Sequence, residues 1–156
     1  MKLENRYSFQ GARKEVWDLL TDPKALQQCT PGCKELEEIG TDEYKASMQI
    51  GVGPVTGTFQ GKIRMAEKEA PHRYKLFVEG SGTPGFVRGE GILTLEEDGG
   101  DKTTVHVIGD AQVGGLVAGV GQRLLEGVAK QFMGQFFKCM LNQLASRTDA
   151  PAGPGS

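Results

Sequence analysis

The sequence predicts an α+β domain in which a curved antiparallel sheet of about seven strands closes on one long C-terminal helix. Two short helices follow the first strand. Three observations carry this. From Cys33 to Val113, alternating apolar and polar stretches are separated by turn residues, the pattern of a meander of strands. From Leu116 to Arg147 there is no proline, and apolar residues recur at every fourth position, as in a helix. Finally, 23 of the 156 residues are glycine, about twice the usual share of ~7%, and they are interleaved with apolar strand residues.

The elements follow in order. Residues 2–10 alternate, with Leu3, Tyr7 and Phe9 on one side, and Gly11 ends the strand. Ala12 to Leu20 forms an amphipathic helix with Val16, Leu19 and Leu20 inward and Trp17 half buried. Asp22-Pro23 starts a second short helix that ends near Cys29. Six strands follow: Lys34–Gly40, Glu43–Gly51, Val55–Glu67, His72–Ser81, Phe86–Glu97 and Thr103–Val113. The separators carry turn chemistry, among them Gly53-Pro54, Ala70-Pro71, Thr83-Pro84-Gly85 and Asp98-Gly-Gly-Asp101. Short connections between successive strands mean antiparallel pairing.

In the last element, Leu116, Val120, Leu124, Val128, Phe132, Phe136, Met140 and Leu144 form an i, i+4 row. Each such step drifts by about 40°, so the row turns through about 280° over its length. One straight face cannot hold it. The expectation is a bend near Gly127–Gly134, or a second half packed on something else, where it would form a mouth, meet a partner or membrane, or support a homodimer. The domain should occupy residues 1–147, with a disordered tail over 148–156.

Composition excludes several classes. No apolar run approaches the length of a membrane span, and the polar start MKLENRYSFQ is no secretory signal. Eighteen basic and twenty acidic residues give a net charge of −2, which argues against a nucleic-acid binder. Three cysteines without a signal peptide argue for a reducing, cytoplasmic setting. In Cys29-Thr-Pro-Gly-Cys33 the spacing suits neither a metal site nor the usual redox pair. Two small apolar residues flanking a turn is the favoured reading, with a reversible bond between them as the alternative.

A curled sheet gripping a helix encloses space. Gly61, Gly89, Gly91 and Gly109 fall on its inner face among bulky apolar neighbours. They either let the helix approach closely or leave a cavity, and sequence weighs the two evenly.

This order of elements resembles the helix-grip fold of START-type lipid-transfer domains, the birch-pollen allergen group and polyketide cyclases. Several segments further resemble the CoxG family of carbon monoxide dehydrogenase subunits: Glu15-Val-Trp-Asp-Leu-Leu20, Asp22-Pro23, Leu26 and Cys29-Thr-Pro-Gly-Cys33, then Tyr44, Val52-Gly-Pro-Val55, Gly57-Thr-Phe59 and Gly61. Later come Gly89, Gly91, Leu95, Thr104, Asp110-Ala-Gln-Val-Gly-Gly115, Leu116, Ala118, Gly121 and Phe136-Phe137. The resemblance covers about residues 2–145. One departure is Val107, where the family pattern leads us to expect an aromatic. Some relatives continue into a membrane-attaching segment; this chain ends at its Pro/Gly tail.

The resemblance implies an accessory protein of a carbon monoxide dehydrogenase-like molybdenum hydroxylase, connecting it to the membrane or to quinones. It carries no cofactor of its own beyond a bound quinone or lipid. The cavity residues expected are Tyr44, Met48, Phe59, Gly61, Ile63, Tyr74, Leu76, Gly89, Gly91, Leu93, Val107, Gly109, Leu124, Val128, Phe132 and Phe136, with Tyr44 and Tyr74 supplying polar tips. The expected location is the cytoplasm, peripheral to the inner face of the membrane.

Catalysis has little support. Asp22, Asp42, Asp98, Asp101 and Asp149 fall in turns or termini, while Glu90, Asp110, Arg88 and His106 face outward. Neither His72 nor His106 has a carboxylate partner readable from spacing. No hydrolase, zinc or phosphate-loop motif is present. A cyclase or hydratase-type enzyme of the same superfamily is the alternative, and it needs an acid or base inside the cavity.

Overall fold

The computed structural model describes residues 1–52 and 55–149. Strand β1 (Lys2–Phe9) leads to helices α1 (Arg13–Leu20) and α2 (Pro23–Cys29). Strands β2 (Cys33–Gly40), β3 (Glu43–Val52), β4 (Val55–Glu69), β5 (Arg73–Gly82), β6 (Gly85–Glu97) and β7 (Thr103–Gly114) follow. A short 3-10 helix η1 (Leu116–Val120) then precedes α3 (Gln122–Asp149). The strands form one seven-stranded sheet in the order β1-β7-β6-β5-β4-β3-β2, with every pair antiparallel. This is the expected α+β helix-grip architecture. The expected Gly53-Pro54 turn and the tail from residue 150 lie outside the described residues; Thr148 and Asp149, expected in the tail, belong to α3.

Local chemistry explains the short helices. In α2, Pro23 needs no amide partner in the first turn, and the Asp22 carboxylate caps the helix by accepting from the Lys24 amide at 3.1 Å. Asp22 also pairs with Arg147 of α3, which ties the start of α2 to the end of the chain's last helix. Helix α1 buries Val16, Leu19, Leu20 and also Trp17. The tryptophan is more buried than expected because Tyr74 of β5 packs edge-on against it, with ring centroids 5.3 Å apart.

The core sits at one end of the grip. Phe9, Val16, Leu19, Leu20, Leu95, Val105 and Met140 are fully enclosed there, and Phe137 and Leu144 join them from α3. Thr103, the buried polar residue of this core, donates its hydroxyl to the Gly11 carbonyl at 2.8 Å. Each such apolar side chain contributes roughly 1.5–3 kcal/mol by leaving water.

Three expectations are corrected here. Helix α3 is one continuous helix from Gln122 through Gly127–Gly134, not a helix from Leu116. The break lies earlier, at Gly121, whose φ of +101° ends η1. The second half of α3 is not left free, because Phe137, Met140 and Leu144 are buried in this chain's own core. The early members of the drifting row, Leu116 and Leu124, stay exposed, and the late members, Met140 and Leu144, are buried.

The third correction concerns the cysteines. Cys29 bonds to Cys139, across 110 residues, and Cys33 is the free thiol. The CTPGC spacing pointed to a local pair, but Cys29 ends a helix whose buried face lies on α3. The bond staples α2 to the second half of α3. A loop of that length restricts the unfolded chain by ~4–5 kcal/mol in a chain-entropy account.

Candidate functional site

Strand register decides what faces the helix. Tyr44 pairs with Ile63, Ile63 with Val78, Val78 with Gly89, and Gly89 with Ala111. One step toward the open end lies the row Ala46, Gly61, Gly80, Val87 and Val113. One step the other way lie Met65, Leu76, Gly91, Gly109 and Leu3, and then Tyr74, Leu93, Val107 and Asn5. Met48 and Phe59 pair nearer the mouth. The structure therefore brings every expected strand residue of the cavity onto one face. Ala46, Val78, Val87, Ala111 and Val113 share that face by the same alternation, and the structure adds Gly80. The signal for Gly80 was its parity with Tyr74, Leu76 and Val78.

Two observations show that this face is not fully filled. First, inward-facing apolar side chains remain partly accessible. Met48, Ile50, Ile63, Leu76, Val78 and Val113 are half buried, as are Val128, Phe132 and Phe136 of α3. Leu124 is 47% exposed and Val87 36%. Second, the inner glycines do not touch the helix. A β-carbon at Gly61 would meet the Glu79 carbonyl oxygen at 2.9 Å, and at Gly109 the Glu90 carbonyl oxygen at 3.2 Å. At Gly91 it would meet the Ile108 carbonyl oxygen at 3.2 Å, and at Gly89 a Val78 methyl at 3.3 Å. Every nearest atom belongs to a neighbouring strand. Close helix approach does not explain these glycines.

The polar groups on this face are few. Tyr74 is 2% exposed, and burial pushes its phenol far above the usual range. Tyr44 is also buried. Its phenol is raised first by desolvation and then by the carboxylates of Glu38, Asp42 and Asp22. Neither hydroxyl makes a hydrogen bond among the described residues. Tyr7 was not expected at the site. It stacks on Phe137 at 4.1 Å between centroids, and its hydroxyl accepts from Asn5 at 3.3 Å; burial raises this phenol too. Its inward parity on β1 was the available signal. From the Tyr74 row to the mouth, the inward positions of β1 and β3–β7 carry no Asp, Glu, His, Lys or Arg among the described residues.

The charged candidates lie elsewhere. Asp22 caps α2, Asp42 pairs with Lys68 at 2.8 Å, and Asp98 accepts from Thr104. His106 does have a carboxylate partner, Glu4, at 2.6 Å; the partner comes from β1 across the sheet, which sequence spacing could not reveal. Both face outward. The outer face also carries a trough of about 520 Å³ lined in part by Lys62, Arg64, Phe77, Glu79, Arg88 and Glu90. The Arg64 guanidinium there sits 4.2 Å from the Phe77 ring centroid. No group of three or more metal-binding side chains occurs among the described residues, and none of their helices is long and apolar enough to cross a membrane.

Comparison with known proteins agrees with this geometry. Residues 8–145 match the CoxG family of carbon monoxide dehydrogenase subunits. A conserved protein from Geobacillus kaustophilus is 40% identical, with a TM-score of 0.91 over 94% of this chain and 96% of that one. A START superfamily protein from Mycobacterium smegmatis is 12% identical, with a TM-score of 0.73 over 93% and 97%. The Zhui aromatase/cyclase from Streptomyces sp. R1128 is 13% identical, with a TM-score of 0.74 over 100% and 99%. These last two share the fold alone. Comparison with curated proteins gives no match.

Proposed function

The chain belongs to the CoxG family of carbon monoxide dehydrogenase subunits, and from that premise we propose that it holds an apolar ligand, a quinone or a lipid-like molecule, between sheet and helix. In this reading it is a non-catalytic accessory protein. It supports membrane or quinone coupling, or assembly, of a carbon monoxide dehydrogenase-like molybdenum hydroxylase, from the cytoplasm and at the inner face of the membrane.

The observation that carries the reading is the incompletely filled inner face. Apolar side chains point at the helix yet stay partly accessible, and the nearest atoms around the glycines among them belong to neighbouring strands and not to the helix. A guest would remove this surface from water at ~25 cal/mol per Å². Burying about 300 Å² would thus return roughly 7 kcal/mol before the entropy of binding. The enzymatic alternative needs a general acid or base at the guest. The inner face offers tyrosine hydroxyls for that role, held protonated by burial, and no carboxylate, imidazole or amine among the inward positions named above.

Gly89→Leu is the direct test, because a β-carbon there meets only a movable Val78 methyl at 3.3 Å and two neighbouring-strand atoms beyond it. Native mass spectrometry should show the wild type taking up a long-chain quinone, and the variant losing at least tenfold in uptake while its Tm changes little. A wild type that takes up neither quinone nor lipid would sink the reading.

A further inference from the structure

Resting on the reading of the inner face as a ligand site, we infer that the ligand is uncharged and presents a hydrogen-bond acceptor to the Tyr74 hydroxyl, which selects it over fatty acids and other anionic lipids. Tyr74 is 2% exposed, and its hydroxyl finds no partner among the described residues. The residue is enclosed, yet its hydroxyl is not one of the fully buried polar atoms that lack a partner, so it keeps accessible surface and is free to donate to a guest. Trp17 of α1 meets the ring edge-on at 5.3 Å between centroids.

Beside it the inner face is thinned. Tyr74 pairs with Leu93, and the next row toward the mouth puts Gly91 opposite Gly109, two positions without side chains. Val107, beside Leu93, is smaller than the aromatic that the family pattern led us to expect. A guest that enters along the glycines therefore arrives with its leading atom near an O–H donor. Burial keeps that phenol protonated at physiological pH, so it donates and the guest must accept.

Charge is selected by what is missing. From the Tyr74 row to the mouth, the inward strand positions hold no lysine, arginine or histidine among the described residues. A carboxylate or phosphate entering there would lose its water and find no cation. The chemistry that fits is a carbonyl, ester or ether oxygen on an apolar body.

Three probes of similar chain length separate the terms on the full chain at pH 8: 2-heptadecanone, palmitate and heptadecane, read by native mass spectrometry and competition. The ketone should bind at least tenfold more tightly than palmitate. Tyr74→Phe should weaken the ketone by about 3- to 10-fold, the worth of one net hydrogen bond, while leaving heptadecane uptake unchanged. Because the hydroxyl has no protein partner among the described residues, the ligand-free variant should melt at the same temperature or higher; a merely structural hydroxyl would lower it. Palmitate binding as tightly as the ketone, or ketone affinity unmoved by Tyr74→Phe, would overturn the inference while leaving the apolar site standing. Uptake of none of the three would overturn the site itself and the inference with it.

Discussion

The two halves of α3 belong to one helix and share one apolar row, yet they do different work. Met140 and Leu144, late in the row, are buried in the core under α1 and α2, next to the disulfide. Leu124, early in the row, is 47% exposed, and Leu116, in η1 before the helix, is 79% exposed. The late half has partners on three sides: β1, α1 and α2. The early half spans a face of the sheet thinned by glycines. The same residue types thus supply stability at one end and leave accessible apolar surface at the other. A repeating pattern marks a helix but does not say where the neighbours are.

The sharpest way to break this comparison is to truncate one residue from each half. Met140→Ala should cost about 2–5 kcal/mol of folding stability, because the cavity it leaves is closed on all sides; urea unfolding would check it. A loss below about 1 kcal/mol would mean that the late half is not core.

A middle-sized effect sharpens the comparison through pH. Tyr74 titrates well above its ordinary value of ~10 in the folded protein. The unfolded chain therefore releases this proton first. Stability from this group is fully present below pH ~10 and falls as pH rises above it, by up to ~1.4 kcal/mol per pH unit until the folded phenol itself ionises. Tyr74→Phe should flatten the alkaline limb of the stability profile between pH ~10 and ~11. An unchanged slope would show that Tyr74 is wetter than the closed end requires.

The smallest effect is expected at the other end of the row. Leu124→Ala should change stability by no more than about 0.5–1 kcal/mol, since the side chain is half in water and makes no enclosed cavity. The same variant should weaken uptake of a long-chain guest measurably. A large stability loss here would erase the distinction between the two halves.

Much of the fold was legible in the sequence because its signals are local. Alternation placed the six strands of the meander to within about two residues, since period-2 burial is written into each strand. Asp22-Pro23 marked α2 through capping chemistry. The inner face was legible for the same reason, as parity alone put Tyr44, Ile63, Leu76 and Gly91 together. Other features were not legible because they depend on distant partners. Cys29 has a nearer thiol in Cys33 yet bonds Cys139. His106 finds Glu4 only through the β1–β7 pairing. Trp17 is buried only because Tyr74 lies beneath it.

By itself, then, the sequence determined which segments are strands and helices, the face each residue takes on its strand, and the family. These follow from periodicity and short-range backbone chemistry. Tertiary structure alone decided which half of the long helix became core, which cysteine closed the staple, and whether the inner glycines met a helix or open space. Those outcomes turn on which surfaces compete for burial once the chain is folded, and residues far apart in the chain settle that competition together.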